Sequence, residues 1–129
     1  MKRLAVAVLL ALLLLSSVAV ASTTLSGTYQ TKIGAKPLGG QLKGTWTIKF
    51  SHGNYKVSKD GTVAVTGKYT IKGNRVSLGH EHGPAACPST GTYTYKVGGS
   101  HLQFTRISDG TEACAGRAAV LSGHFTKLG

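Results

Sequence analysis

A phrase of glycine, any residue, then an aromatic recurs along this chain as Gly27-Thr28-Tyr29, Gly44-Thr45-Trp46, Gly67-Lys68-Tyr69, Gly91-Thr92-Tyr93 and Gly123-His124-Phe125. Around the only tryptophan, Gly44-Thr45-Trp46-Thr47-Ile48-Lys49-Phe50 sets a large apolar side chain against Thr or Lys at every step. Alternation with a period of two describes a strand that is dry on one face and wet on the other. One strand design used repeatedly, with no helical-period segment of ten residues beyond the N-terminal region, suggests an antiparallel β architecture.

The pattern predicts strands over residues 25–33, 44–50, a short one through Tyr55 and Val57, 62–72, one through Val76 and Leu78, 91–97, 101–107 and 117–128. Turn chemistry separates them: Ser51-His52-Gly53-Asn54, Lys59-Asp60-Gly61, Lys72-Gly73-Asn74 and Gly98-Gly99-Ser100 place Gly, Asp and Asn where hairpins need positive φ. Pro37 and Gly39-Gly40 confine residues 34–42 to a connection with one helical turn at most. Residues 79–90 and 108–116 read as the two longer loops. In the longest strand Val63, Val65, Gly67, Tyr69 and Ile71 share the inward face, with Gly67 marking a bend or bulge. In the last, Ala119, Leu121, Gly123 and Phe125 share it. Arg106 falls on the inward parity of its strand and Ile107 does not, which predicts a bulge or the rim there.

Even strand spacing allows a sandwich or a barrel. The aromatics (one Trp, five Tyr, three Phe) all fall on the inward parity, which favours an all-β, eight-stranded antiparallel up-and-down barrel. Closure also removes the sheet edges that a chain this short would otherwise have to protect.

Residues 1–21 read as a signal peptide: Lys2 and Arg3, an apolar run from Leu4, and Ala19-Val20-Ala21 before the expected cleavage. The mature domain is then 22–129, exported and without stable membrane insertion. In an exported chain Cys87 and Cys114 are expected to pair. The formal net charge is +11, with 15 Lys and Arg against four Asp and Glu, and only Lys2 and Arg3 leave with the leader. Such a balance points toward anionic partners.

At Gly44-Thr45-Trp46 the chain resembles the lipocalin and calycin group, whose first shared motif is G-x-W at the start of a barrel strand. Its G-K-Y-T, A-C-P-S-T-G-T-Y-T-Y and C-A-G-R-A-A-V-L phrases are similar to those of short exported lipocalin-like proteins of bacteria. The resemblance implies a ligand-holding barrel in which an arginine near the last strand packs over the tryptophan as a structural lid, and Arg117 is the matching residue. The second lipocalin motif, T-D-Y-x-x-Y, is absent. A single tryptophan does not reproduce the several that line an avidin biotin pocket.

Eight-stranded barrels are either just filled by side chains or hold one small ligand, and both readings stay open here. The wall candidates for a ligand are Trp46, Tyr69, Tyr93, Tyr95 and Phe104, with Arg106 at the mouth. Buried tyrosine hydroxyls need partners, because each one left unmade costs about 1–3 kcal/mol. Arg117 and Arg106 also have the chemistry of an anion-binding fork. His80-Glu81-His82 falls short of the three or four ligands zinc requires once Cys87 is in a disulfide, so no metal or cofactor is expected. Asp60, Glu81, Asp109 and Glu112 all fall in turns or loops, giving no inward carboxylate pair for acid–base catalysis. There is neither a G-x-S-x-G elbow nor a phosphate-binding glycine loop.

The expected function is therefore non-catalytic: an exported barrel holding a small, partly apolar ligand. The alternative is an envelope-associated barrel with a filled core that uses its Lys and Thr outer wall (Lys32, Lys49, Lys56, Lys68, Lys72, Arg75, Lys96) on anionic polymers. Nucleic acid is not expected, since no aromatic interleaves with those charges.

Overall fold

The computed structural model describes residues 25–129; the expected leader and its cleavage site lie outside them. Strands β1 (Gly27–Ile33), β2 (Gly44–Ser51), β3 (Asn54–Lys59), β4 (Thr62–Lys72), β5 (Arg75–His82), β6 (Gly91–Gly98), β7 (His101–Ser108) and β8 (Phe125–Leu128) follow one another around a closed barrel. Every neighbouring pair is antiparallel, and β8 returns to β1 through Thr28↔Leu128 and Gln30↔Thr126. A single helix, α1 (Ala115–Leu121), and short 3-10 turns at Pro37–Gly40 and Glu112–Cys114 complete the described elements. Among the described residues no helix is long and apolar enough to cross a membrane.

Alternation delivers what it promises inside. Trp46, Tyr29, Phe50, Tyr55, Tyr93, Tyr95, Phe104 and Phe125 are buried, and Tyr69 packs partly buried against them. Phe50 is the hub: its ring meets Tyr29, Tyr55, Tyr69 and Phe104 at centroid distances of 5.2 to 6.4 Å. Phe104 continues the chain of rings edge-on to Tyr93 and Phe125. Rings met edge-to-face at these distances each gain about 0.5–1.5 kcal/mol beyond their area burial. This half of the barrel is filled.

Three bulges break the parity, and each moves a side chain. Val57 pairs Val65 while Ser58 pairs Val63, so Ala64 is the extra residue. Val63, expected inward, therefore turns out to solvent at 44% exposure. Between β6 and β7 the register slips where Thr92 pairs Ser108 and Tyr93 pairs Arg106. Ile107 is the extra residue, which is the irregularity its parity predicted; Arg106, expected inward, ends up exposed, as does Ile107. The third bulge lies beside Gly67: Thr66 pairs His82 but Lys68 pairs Gly79. β5 thus runs on to His82, so the expected loop beginning at residue 79 is shorter by four residues.

The region expected as one long final strand is mostly not strand. Residues 115–121 form α1, and β8 keeps only four residues. β8 reaches β7 through His101↔Thr126 and Leu102↔Phe125 alone, and α1 packs against β7. The barrel ends are therefore unlike. At one end sit the tight turns between β2 and β3, β4 and β5, and β6 and β7. At the other lie the connections 34–43, 83–90 and 109–124, with the Cys87–Cys114 disulfide (Cα–Cα 5.1 Å) joining the last two.

Candidate functional site

Beneath those long connections the barrel keeps a cavity of about 90 Å³. Trp46, Ile48, Phe50, Val57, Val65 and Leu78 form its barrel wall, and Ala113, Gly116, Val120 and Leu121 close it from above. Ala113, Arg117, Val120 and Leu121 sit at i, i+4, i+7 and i+8, the spacing that places side chains on one helical face. Trp46 is held in place from outside the strand: its Nε1 donates to the Leu42 carbonyl at 2.8 Å. The cation over its ring is Lys59, 5.9 Å from the centroid and anchored by its own bond to the Gln41 carbonyl.

The polar side of the cavity is Glu81 and Arg117. Glu81 is inward because of the β4–β5 bulge. Counting by twos from Val76 and Leu78 aims residue 81 at solvent, but the extra residue, with His80 at φ 50, reverses the parity. Its carboxyl accepts from the Tyr55 hydroxyl and from the Cys87 backbone N–H at 2.7 Å, and forms an ion pair with Arg117 Nη1 at 3.4 Å.

Arg117 projects from α1, not from a strand, and is spent on a second buried acid. Nε donates to Asp109 Oδ2 at 2.9 Å and Nη2 to Oδ1 at 2.7 Å, while Nη2 also reaches the Ser89 carbonyl at 2.8 Å. Asp109 in turn accepts from the Tyr93 hydroxyl. The side chains of Arg117, Glu81 and Asp109 are 7, 3 and 0% exposed. Burial by itself raises the Asp109 carboxyl, but the hydrogen bonds from Arg117 and Tyr93 and the guanidinium charge outweigh it and hold the group below the usual carboxylate range. Burial also works against the Arg117 charge, and Asp109 and Glu81 overcome it. The Tyr55 and Tyr93 hydroxyls are pushed up, first by burial and then by the carboxyl each one faces. Gly91 makes room for the fork: a Cβ there would stand 2.8 Å from both Arg117 Nη2 and the Asp109 carboxyl.

Among the residues expected to touch a ligand, Trp46 alone lines this cavity. Tyr93 serves Asp109, and Phe104 belongs to the packed rings. Tyr69 and Tyr95 face the opposite end, their hydroxyls donating to the carbonyls of Leu25 (2.9 Å) and Gly73 (3.5 Å). Arg106 lies on the outside. The tyrosine hydroxyls thus find carboxyls and carbonyls, and among the described residues no buried side-chain polar atom lacks a partner. Cys87, Asp109 and Cys114 present ligand atoms within 4.8 Å of one another, but both sulfurs are committed to the disulfide, which leaves one donor where zinc needs three or four.

No protein-family model, curated protein or solved structure matches this chain.

Proposed function

We propose that the protein is an exported, lipocalin-like, non-catalytic binding barrel, and that its ligand is small, mostly apolar and carries one hydrogen-bond donor. The observation that carries this reading is the position of the cavity. It lies inside the barrel, walled by apolar side chains, with a carboxyl and a guanidinium on one side and a disulfide-tethered helix above.

Size and chemistry narrow the ligand. A dry cavity of about 150 Å³ holds benzene, so about 90 Å³ suits an occupant of about four non-hydrogen atoms. At best about 1.5 kcal/mol per atom, such an occupant gains about 6 kcal/mol, a Kd in the tens of micromolar. Tighter binding or a longer ligand requires α1 to move outward. Two carboxyls share one guanidinium here, and the Arg117 fork is already engaged by Asp109. An anionic head therefore finds little welcome, whereas a hydroxyl or amine can donate to the remaining acceptor capacity of Glu81.

Trp46 supplies the readout, being the only tryptophan and part of the wall. Titration with propanol, butanol and butylamine should shift its emission saturably, and butyrate should be weaker than butanol by tenfold or more. Absence of a saturable response from any of these, and from longer homologues, removes the reading.

A further inference from the structure

The outer wall carries a second site. We propose that the groove over β2–β5, formed by Lys49, Lys56, Lys68, Thr66, His80 and His82, binds a base-free acidic polysaccharide. The groove is a concavity of about 420 Å³, with Ser51 and Asn54 at its edge. The groove lies over the bulge that turns Glu81 inward: one extra residue sits on β5 between the Thr66↔His82 and Lys68↔Gly79 pairs, where a bulged strand bends locally.

Register aligns the charges. Lys49 pairs Lys56, Lys56 pairs Thr66 and Thr66 pairs His82, so these four outward positions make one row across four strands. At about 4.8 Å per strand the row spans about 14 Å. Lys68 stands diagonally next to Lys56 and His80 follows it on β5. Two lysines directly opposite one another repel and weaken a sheet, and among the described residues no ion pair includes Lys49 or Lys56. Of the four acids in the chain, Glu81 and Asp109 are buried against Arg117, Asp60 caps the Thr45 N–H and Glu112 lies in the turn before α1. Among the described residues every ion pair belongs to Arg117, so the groove lysines have no carboxylate partner.

The neighbours of the charges select the polymer. Ser51, Asn54 and Thr66 add hydroxyl and amide groups suited to sugar hydroxyls. The lining holds no Trp or Phe, and its one Tyr, Tyr55, is buried with its hydroxyl on Glu81. The imidazoles of His80 and His82 are therefore its only exposed rings, and the run of large aromatic platforms that a single-stranded nucleic acid would use is missing. The groove shares no lysine or histidine with the interior cavity and stands whether or not that cavity is occupied.

The test is calorimetric titration of the full mature protein with a size-defined heparin oligosaccharide and with an oligogalacturonate at about 50 mM salt. The triple variant K49Q/K56Q/K68Q is compared with K32Q/K72Q/K96Q, which removes equal charge elsewhere on the wall. The proposal expects the groove variant to lose at least tenfold in affinity, the control to lose less than threefold, and wild-type binding to fade by about 0.5 M salt, where screening is nearly complete. Near-ultraviolet circular dichroism confirms that both variants keep the fold. Equal losses in the two variants would mean diffuse charge attraction and would overturn the site. Tighter binding of a charge-matched single-stranded oligonucleotide would overturn the polysaccharide assignment.

Discussion

Arg117 and Asp109 meet in a two-bond fork, Nε to Oδ2 at 2.9 Å and Nη2 to Oδ1 at 2.7 Å, with the acid fully buried. The fork ties α1 to the segment just after β7, and Nη1 extends the tie to Glu81 on β5. Removing one member of a buried ion pair strands the other, at a cost of about 3–5 kcal/mol. Arg117→Met leaves two buried carboxyls without their cation and is expected to cost that much in urea unfolding. Asp109→Asn keeps a neutral acceptor for Tyr93 and one guanidinium bond, so it should cost less. A loss below about 1 kcal/mol for Arg117→Met would show that the network does not hold the lid.

The same network sets the response to pH. Asp109 is held below its unfolded value, so its contribution is present above the unfolded carboxylate pKa of about 3.9 and disappears as pH falls through the lower, folded value. Tyr55 and Tyr93 are raised, so theirs is present below about pH 10 and is lost as pH rises toward the folded values. Melting temperature should therefore decline on both sides, below about pH 4 and above about pH 10. Burial also raises the Tyr29 and Tyr95 hydroxyls, so in an alkaline titration followed at 295 nm these should ionise late as well. The absorbance of Tyr55 and Tyr93 should appear only together with loss of near-ultraviolet dichroism. Ionisation of all five tyrosines with the fold intact would contradict these environments.

Strand order, closure and the inward aromatics were legible because a period of two survives wherever ladders are regular. Trp46, Phe50, Tyr93 and Phe125 needed nothing more. Glu81 and Asp109 were not legible, since a buried acid is announced only by its partner. Glu81 changes sides through one inserted residue at Gly79-His80, and Asp109 lies past the end of a strand. Residues 115–121 satisfy both periods: Ala119 and Leu121 alternate, while Arg117, Val120 and Leu121 fall on one helical face. Seven residues are too few for periodicity to decide between them. The Gly123 that follows the helix end is the available stop signal, but its place in the glycine–x–aromatic phrase Gly123-His124-Phe125 fits a strand equally well.

The disulfide joins Cys87, in the connection after β5, to Cys114, in the 3-10 turn before α1, across a sequence separation of 27. In the chain-entropy account a loop of that length contributes about 3.5 kcal/mol. Cys87→Ser/Cys114→Ser should lose about that amount while keeping the barrel's β signature in the far ultraviolet. Because the bond also tethers the helix above the cavity, the variant should show faster exchange at the backbone amides of residues 115–121 than at β2 or β6. Equal protection across the three would indicate that Arg117 alone holds the helix.

Gly67 lines the outer groove and abuts Tyr55, the residue that lines both that groove and the inner cavity. A Cβ at this position would lie 2.5 Å from Tyr55 Cζ, 2.6 Å from its hydroxyl and 2.8 Å from the Gly79 carbonyl. Ring and backbone would both have to move, and forcing a methyl into packed space costs about 1–3 kcal/mol. The displaced ring carries the hydroxyl that Glu81 accepts, so Gly67→Ala should also turn the carboxyl at the cavity edge. The expected result is a destabilised but folded barrel with altered Trp46 emission and weaker butanol binding. Val63→Ala, on the same strand but pointing to solvent, should leave both unchanged. If Gly67→Ala matches Val63→Ala in stability and emission, the close contact between β4 and Tyr55 is not what positions Glu81.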